Sequence, residues 1–379
     1  MTRLWLNDLA VGQTLERDIY SAAVGGLPLL RRNTVITQHF LDGLRRRGVF
    51  AVYVRDPAPL QRPAPVDPYG FVPRQRPLLS KKTRTDALTA LETLFDSISR
   101  GEELYGAASR VVQQIDQVVE LLVDSIGDDH AALININDLK SHDEYTYHHS
   151  LSVAILSIAI GQYMGLDKAR LNRLGKAGIL HDIGKTTIPA ELINKPSRLT
   201  VGEFALMKTH SFAGYDFLQK QGIGDDEIWQ GVLSHHERYD GTGYPNCLAG
   251  DKIPLFARII SVADVYDALT SHRPYRSPMS PAETVEYIMA GVGSSFDYEV
   301  VDAFVQKISL YPVGGYVQLS DGRVCVVLNN DNHMRPVVRT LSGGEVLDLF
   351  RDQRRLNLVI SRIVPDLEAK RMIRAMVSG

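Results

Sequence analysis

Between about residues 133 and 308 the sequence consists of helical segments whose apolar faces repeatedly include a histidine or an aspartate. In the first of these segments, His149 shares one face with Val153 and Ile160, at the i, i+4 and i+11 spacing of a helix. Burial of such a polar side chain is unfavourable unless it has a partner. Repetition of this pattern along successive helices is typical of a metal site inside a helical bundle. The sequence therefore predicts a mainly α fold around a buried cluster of ligands.

The stretch from His181 to Lys185, with the sequence His-Asp-Ile-Gly-Lys, contains the most constrained of these positions. The apolar run that starts at Leu174 has the i, i+3, i+4, i+7, i+8 spacing, which puts His181 and Asp182 on its inward stripe. Gly184 is expected to end this helix. A single pair of this kind is more often a hydrogen-bonded core histidine, and the residues downstream favour the metal site.

Three further segments repeat the pattern. A capping box over residues 200–203 starts a helix that points His210 inward. The next helix ends its apolar stripe with the adjacent pair His235 and His236, which is hard to explain by packing. In the last segment Asp264 follows Phe256 and Ile260 at i+8 and i+4, which places a carboxylate in the core.

Five histidines and two aspartates thus converge from five helices. Seven ligands are too many for one ion, so the sequence predicts two ions about 3.5–4 Å apart that share a bridging carboxylate. Imidazole and carboxylate ligands suit iron, manganese, nickel or zinc better than magnesium or calcium. Metal pairs of this kind hydrolyse phosphoesters.

Cationic and aromatic residues surround the predicted site. Lys185 follows the His-Asp pair directly, and Arg273 and Arg276 follow Asp264 by two to three helical turns. Guanidinium groups can bind phosphate oxygens in pairs, so these three residues are candidate phosphate ligands. Residues 238–245, here called loop 238–245, come directly after the adjacent histidines and include Tyr244. The loop is interpreted as a simple tight turn, or as a substrate lip or partner-docking surface.

Composition excludes several function classes. The formal net charge is −2, with 44% hydrophobic and 23% charged residues, so nothing global predicts attraction to nucleic acid or to a membrane. The sequence has no apolar run of 18 residues and no signal-peptide core near its start, which predicts a cytoplasmic protein. The two cysteines, Cys247 and Cys325, have neither metal-ligand nor redox spacing.

The chain divides into five predicted regions. A small N-terminal α+β module is followed by a linker with seven prolines between Pro57 and Pro77. A helical connector precedes the histidine-rich catalytic domain, and a β-hairpin extension covers the end of the chain. The predicted boundaries are 1–55 for the module, 56–80 for the linker, 81–132 for the connector, 133–310 for the catalytic domain and 311–379 for the extension.

The sequence resembles the HD-GYP subgroup of the HD-domain phosphohydrolases, bacterial enzymes that hydrolyse cyclic di-GMP. The resemblance covers roughly residues 133–308, and it depends on two specific motifs. His181-Asp182-Ile183-Gly184-Lys185 is similar to the HD signature of the family, and loop 238–245 is similar to its GYP loop. His149-Ser150 resembles the first ligand motif, which selects His149 rather than His148, because the periodicity separates these two only weakly.

The resemblance implies an HD-type helical bundle and a set of site residues. Asp182 is the expected bridging ligand, Asp182 and Lys185 the expected catalytic residues, and Lys185, Tyr244, Arg273 and Arg276 the expected substrate-binding residues. The implied reaction is attack of a hydroxide bridging two divalent transition metals, iron or manganese before nickel or zinc, on cyclic di-GMP. The implied product is pGpG, with GMP as a second product in some members. The expected metal ligands are His149, His181, Asp182, His210, His235, His236 and Asp264.

Some members of the family bind a third metal through a glutamate one helical turn before the first histidine. In this chain Tyr145 occupies that position, and Glu144 lies one residue out of register, about 100° away around the helix. A neutral phenol is a poor ligand for a divalent ion. The sequence therefore predicts two metals, and a third bound by Glu144 and His148 is the alternative.

Two rival functions remain open. Another HD-type nucleotide phosphohydrolase, acting for example on guanosine tetraphosphate or on deoxynucleotides, is disfavoured by the adjacent histidines and loop 238–245. A signalling scaffold with weak activity is the second rival, which would bind cyclic di-GMP or pGpG, or dock a diguanylate cyclase through that loop. The helical connector is also a candidate surface for a homodimer.

Overall fold

The computed structural model describes residues 2–5, 13–20, 28–46, 51–54, 79, 81–102, 109–126, 134–135, 145–271, 278–330 and 334–377. The chain forms two compact units, Met1–Pro68 and Tyr69–Gly379. The proline-rich linker lies outside the described residues. The predicted domain boundaries remain predictions.

The first unit combines short strands with one helix. Its strands β1 (Thr2–Trp5), β2 (Ile19–Tyr20), β3 (Pro28–Leu30) and β4 (Ala51–Val54) are accompanied by helix α1 (Gln38–Arg46). β1 pairs antiparallel with β4, and β2 with β3. Leu15, Ile36, Leu41 and Val54 are buried together in a small core. The first unit is thus a small α+β arrangement.

The second unit is mainly helical, as predicted. Its first ten helices are α2 (Lys81–Ser99), α3 (Arg110–Ile126), α4 (Tyr145–Tyr163), α5 (Lys168–Leu180), α6 (Ala190–Ile193), α7 (Val201–Lys220), α8 (Asp226–Ser234), α9 (Leu255–Thr270), α10 (Pro281–Ala290) and α11 (Tyr298–Lys307). α4 packs against α5, α9 and α11. Residues 149–162 of α4 are all buried, so it is the central helix of the bundle.

α2 and α3 belong to the same hydrophobic core as the histidine-bearing helices. Leu91 and Leu94 of α2, together with Val119 and Leu122 of α3, are buried in that core. α3 packs against α5, and α2 contacts the short 3-10 helix Ile183–Thr187 that follows α5. The predicted connector and the predicted catalytic domain therefore share one core.

Side-chain caps begin two of the helices that carry or precede site residues, and the capping box over residues 200–203 was predicted. Thr200 and Glu203 form the capping box of α7: the Thr200 hydroxyl accepts from the Glu203 backbone N–H, and the Glu203 carboxylate accepts from the Thr200 N–H. The Asp225 carboxylate accepts from the Ile228 N–H and caps α8. These two caps fix the starts of α7, which carries His210, and of α8, which ends just before His235.

The C-terminal region is a five-stranded antiparallel sheet, not the predicted hairpin. Its strands are β7 (Tyr316–Leu319), β8 (Val324–Asn329), β9 (Val337–Thr340), β10 (Val346–Asp348) and β11 (Ile360–Val364), in the order β10-β9-β8-β7-β11. The sequence pattern predicts strands over residues 316–319, 324–328 and 336–339, which correspond to β7, β8 and β9. The sequence pattern missed the edge strands β10 and β11 because most of their residues are exposed or partly exposed, which weakens the period of two.

A short pair of strands and a C-terminal helix also belong to the second unit. β5 (Ile134–Asn135) pairs in parallel with β6 (Ile308–Ser309), which ties the segment before α4 to the end of α11. Helix α12 (Asp366–Val377) follows the sheet, and its Ala369 is buried with Val324 and Val364. Within the ranges given above, no helix has the length and apolar character needed to cross a membrane.

Candidate metal centre

The seven residues predicted as ligands lie together inside the helical bundle, and their candidate ligand atoms form two groups. Within each group these atoms lie within 4.8 Å of one another. The first group contains His149 of α4, His181 at the end of α5, and Asp264 of α9. The second group contains Asp182, His210 of α7, and the pair His235 and His236 after α8.

Asp182 lies between the two groups. Its Oδ2 atom is 3.3 Å from Nε2 of His181 and 3.7 Å from Nε2 of His149. Its Oδ1 atom is 3.4 Å from Nε2 of His210. The two oxygens of this one carboxylate therefore face different groups of histidines, which is the geometry of a bridging ligand.

Three imidazoles are oriented by backbone carbonyls of their own helices. Nδ1 of His181 lies 2.8 Å from the Gly178 oxygen, and the corresponding contacts of His210 and His235, to the carbonyls of Met207 and Val232, are both 2.7 Å. Because a carbonyl can only accept, each Nδ1 carries the proton. Each Nε2 lone pair is then available to the centre of the site, as metal-ligating histidines require.

His149 is oriented differently, by a carboxylate that sequence reasoning missed. Its Nδ1 lies 2.7 Å from Oδ2 of Asp267, and its Nε2 lies 3.2 Å from Oδ1 of Asp264. Asp267 follows Asp264 by three residues on α9, so helical spacing was the signal that could have identified it. His148, the alternative ligand, is partly exposed and belongs to neither group.

Gly184 allows the close approach of two backbones, and the prediction that it ends the helix is wrong. α5 ends at Leu180, with His181 as its C-cap, and Gly184 lies inside the 3-10 helix Ile183–Thr187. A Cβ atom at position 184 would lie 2.0 Å from the carbonyl oxygen of His210. The missing side chain therefore lets the 3-10 helix pack directly on α7, and this packing brings Asp182 close to His210.

Loop 238–245 is anchored beside the adjacent histidines by a second residue that sequence reasoning missed. The Glu237 carboxylate is buried and accepts from the backbone N–H groups of Asn246 and Leu248, at 2.7 and 3.0 Å. A Cβ atom on Gly243 would lie 2.3 Å from the Arg238 nitrogen, so only glycine fits this turn. Glutamate directly after two histidines gave no periodic signal, because the helix has already ended.

The structure describes two of the four residues predicted to bind substrate, Tyr244 and Lys185. Tyr244 donates its backbone N–H to the His236 carbonyl, and the two ring centroids are 4.8 Å apart. The Lys185 ammonium donates to Oδ2 of Asp182 at 2.6 Å, and 31% of the lysine side chain is exposed. Both residues therefore border the site.

Several other predicted residues cannot be placed. Arg273 and Arg276 lie outside the described residues, as does Glu144. Tyr145 begins α4, and only its backbone is described.

Burial and neighbouring charges set the protonation of the site. Burial lowers the pKa of His236 to about 3 and, with the neighbouring His236, holds the pKa of His235 well below its usual range. Burial opposes ionisation of Asp182, but Lys185 and His181 outweigh it and hold the Asp182 pKa well below its usual value. The second group therefore offers neutral imidazoles and an ionised carboxylate, the forms that bind metal ions.

In the first group, His149 contacts two carboxylates, those of Asp264 and Asp267. Burial lowers the pKa of His149, but its contacts with Asp264 and Asp267 outweigh burial and raise that pKa to about 10. The charged form of His149 is thus favoured, with its Nε2 proton between the carboxylates of Asp182 and Asp264. Nε2 of His181 is also buried, and it makes no hydrogen bond within the described part of the chain. The residues of both groups fit divalent transition metals.

Comparisons with known proteins agree with this geometry. Residues 133–300 match the family model described as HD domain. The cyclic di-GMP phosphodiesterase PA4108 of Pseudomonas aeruginosa is 44% identical over 197 residues, which is 52% of this chain and 47% of that protein. The 3'3'-cGAMP-specific phosphodiesterase 1 of Vibrio cholerae is 36% identical over 180 residues, which is 47% of this chain and 41% of that protein.

Among solved structures, Bd1817 of Bdellovibrio bacteriovorus, described as an HDG"Y"P protein, aligns with a TM-score of 0.45 and 17% identity. The alignment covers 80% of this chain and 97% of that one. This chain spans less than half the length of the two curated relatives named above. Over residues 133–300 this chain is therefore similar to HD-domain proteins, and over 197 residues it is similar to a cyclic di-GMP phosphodiesterase.

Proposed function

We propose that this protein is a metal-dependent phosphodiesterase that hydrolyses cyclic di-GMP. The observation that carries the proposal is the position of Asp182, whose two oxygens face two separate groups of histidines. One carboxylate between two groups of ligands is the arrangement that two-metal hydrolases use on phosphodiesters. The similarity to cyclic di-GMP phosphodiesterase PA4108 supports the choice of substrate.

The two groups divide the metal ligands. We assign His149, His181 and Asp264 to one ion and His210, His235 and His236 to the other, with Asp182 shared. When bound, two divalent transition metals supply Lewis acidity toward phosphate oxygens and toward water. Iron and manganese remain the predicted metals, and two ions remain the predicted number.

Lys185 is assigned a direct part in the reaction. Its ammonium has three donors and uses one of them on Asp182, at 2.6 Å. The remaining donors can bind an oxygen of the scissile phosphate, where negative charge accumulates as water attacks. Asp182 in turn fixes the position of the ammonium, because the contact is short and Asp182 is buried.

The reaction consumes one water molecule for each phosphodiester. The water oxygen forms a new bond to phosphorus, the bond from phosphorus to the ribose 3'-oxygen breaks, and a proton passes to that oxygen. The first cycle opens the ring to linear pGpG. A second cycle on the remaining diester would give GMP.

Other substrate contacts are assigned to the rim of the site. Tyr244 lies against His236 and is assigned to substrate binding, together with Arg273 and Arg276. Docking of a diguanylate cyclase through loop 238–245 and formation of a homodimer remain predictions, as does the regulatory role of the N-terminal module. A scaffold with weak activity is the alternative to an efficient enzyme.

A second candidate substrate is favoured by one comparison. The relative from Vibrio cholerae is a 3'3'-cGAMP-specific phosphodiesterase, and it is 36% identical to this chain. Cyclic dinucleotides share the phosphodiester ring and differ in their bases. The same two-group site can therefore act on 3'3'-cGAMP, with the bases selected by residues at the rim.

The deciding experiment is product analysis with metal-loaded protein. Protein expressed with iron or with manganese is purified without oxygen and analysed for metal content. It is then incubated with cyclic di-GMP, pGpG or 3'3'-cGAMP, and the products are separated by chromatography. Two metal equivalents and conversion of cyclic di-GMP to pGpG are expected. Protein that contains two metals but leaves all three compounds intact would contradict the proposal.

A further inference from the structure

One lysine at the rim of the site has no part in the function described so far. Lys208 lies on α7, and its ammonium is 4.9 Å from the ring centroid of Phe204 and 5.3 Å from that of Tyr244. These are cation–π distances. The two aromatic rings therefore direct the lysine side chain toward loop 238–245.

Lys208 differs from the other described cations near the site in having no carboxylate partner. Lys185 binds Asp182, Lys195 binds Glu203, and Arg238 lies 3.7 Å from Asp240. Within the described ranges, no carboxylate oxygen lies within 4.0 Å of the Lys208 ammonium. Contacts with aromatic rings do not neutralise the charge of the ammonium, which can therefore still attract an anion.

Lys208 is connected to the metal centre through the ring of Tyr244. The Tyr244 ring lies 4.8 Å from the ring of His236, a member of the second group, with 31° between the ring planes. Lys208 contacts the same tyrosine ring. The Lys208 ammonium therefore contacts the ring that packs on His236, whereas the Lys185 ammonium contacts Asp182 directly.

We propose that Lys208 binds the second phosphate of a cyclic dinucleotide, the one that is not being hydrolysed. This inference rests on the proposed function, and it adds a reason why the site would prefer substrates with two phosphates. A ring with two phosphodiesters places one phosphate at the metal centre and the other away from it. The Lys208 ammonium, which contacts the rings of Phe204 and Tyr244, binds that second phosphate.

The kinetic consequence is specific. Lys208 does not touch the reacting phosphate, so its loss weakens substrate binding and leaves the chemical step unchanged. A charge-assisted hydrogen bond corresponds to roughly 10-fold or more in affinity. A small phosphodiester with one phosphate, such as bis(p-nitrophenyl) phosphate, lacks the group that Lys208 binds.

The test compares Lys208→Gln with Lys208→Arg and with Lys220→Gln. Lys220 is a matched control on the same helix, since it is exposed and paired with Asp216. For Lys208→Gln we expect KM for cyclic di-GMP to rise roughly 10-fold, with kcat and metal content within about 2-fold of the unchanged protein. We expect kinetics on bis(p-nitrophenyl) phosphate to stay unchanged, Lys208→Arg to restore much of the affinity, and Lys220→Gln to have no effect.

Binding measured by calorimetry keeps this inference separate from the proposed activity. If the unchanged protein binds cyclic di-GMP without hydrolysing it, the proposed activity fails, and a weaker Kd in Lys208→Gln still supports the phosphate contact. The inference is overturned if Lys208→Gln leaves both KM and Kd unchanged, or if it affects both substrates equally. It is also overturned if the unchanged protein neither binds nor hydrolyses cyclic di-GMP.

Discussion

Nδ1 of His149 lies 2.7 Å from Oδ2 of Asp267, a residue that follows it by 118 positions in the sequence. Among His149, His181, His210 and His235, only His149 is oriented by a side chain. The other three are oriented by backbone carbonyls of their own helices. It also connects α4 with α9, the helices that provide His149 and Asp264.

Removal of the Asp267 carboxylate should weaken metal binding without unfolding the protein. Asp267→Ala leaves Nδ1 of His149 without its acceptor, and loss of such a partner lowers metal affinity by about 10–100-fold. Competition with a chelator, followed by metal analysis, measures the effect. Asp86→Ala on the exposed face of α2 is the control. Equal metal retention by both variants would show that Asp267 does not position His149.

Asp182→Asn should remove the charge that both groups share. We expect loss of bound metal and a fall in hydrolysis rate of at least roughly two to three orders of magnitude, because the amide cannot replace a bridging carboxylate. Metal content and the initial rate on cyclic di-GMP are measured on the same preparation. Asp216→Asn, on the surface of α7, is the control. A folded Asp182→Asn protein without metal that still hydrolyses the substrate at the original rate would refute the two-metal mechanism.

Gly184→Ala should destabilise the whole helical bundle. The added Cβ would lie 2.0 Å from the backbone oxygen of His210, and overpacking of this kind costs about 1–3 kcal/mol or more. Gly202→Ala is the matched control, since a Cβ at that exposed position of α7 meets no atom within 4 Å. Alanine there should be neutral or stabilising by about 0.5–1 kcal/mol. Denaturant unfolding compares the two variants, and equal stability would contradict the close approach of the two backbones.

A chain that begins at Tyr69 should fold and retain its metals. Tyr69–Gly379 is a compact unit, and its core includes Leu79, which is 4% exposed. A chain that begins at Lys81 lacks Leu79. It should be less stable, because the apolar site that Leu79 fills would be left empty. Thermal unfolding and metal analysis of both chains test this. If the chain from Tyr69 aggregates or loses its metal, the N-terminal unit is needed by the catalytic core.

The two cysteines should differ in reactivity. Cys247 is exposed, whereas Cys325 is buried, and burial raises the pKa of the Cys325 thiol to about 11. Since the thiolate is the reactive form, Cys325 carries almost none of it at pH 8. Treatment of folded protein with iodoacetamide at pH 8, followed by mass spectrometry, should show labelling of Cys247 alone. Rapid labelling of both residues would mean that β8 is open to solvent.

Helical periodicity predicted the residues whose positions depend on one helix at a time. His149, His210 and Asp264 each lie on an inward stripe, and each belongs to one of the two groups of candidate ligands in the structure. Asp267 was missed because its partner, His149, lies on another helix. Glu237 was missed because it lies outside a helix, as does its partner Asn246. The role of Gly184 was misassigned for the same reason, since only the contact with α7 shows why a side chain is excluded.

The C-terminal sheet shows the other limit of sequence patterns. β7 alternates between buried and partly buried residues, and the first five of the six residues of β8 are buried, so both strands were predicted. The edge strand β10 has only three residues, with one buried. An edge strand makes ladder hydrogen bonds on one side only and needs little apolar surface. Strand order in a sheet is set by pairing between distant segments, which local periodicity does not encode.

The carbonyls that orient His181, His210 and His235 lie three residues earlier, at Gly178, Met207 and Val232. Each of these ligand directions is therefore encoded within a single helical turn, and it forms together with that turn. The rotational freedom of these three rings is lost when the helices form and not when an ion arrives. An incoming metal consequently meets donors that already point to it, and the entropy cost of ordering them belongs to folding and not to binding.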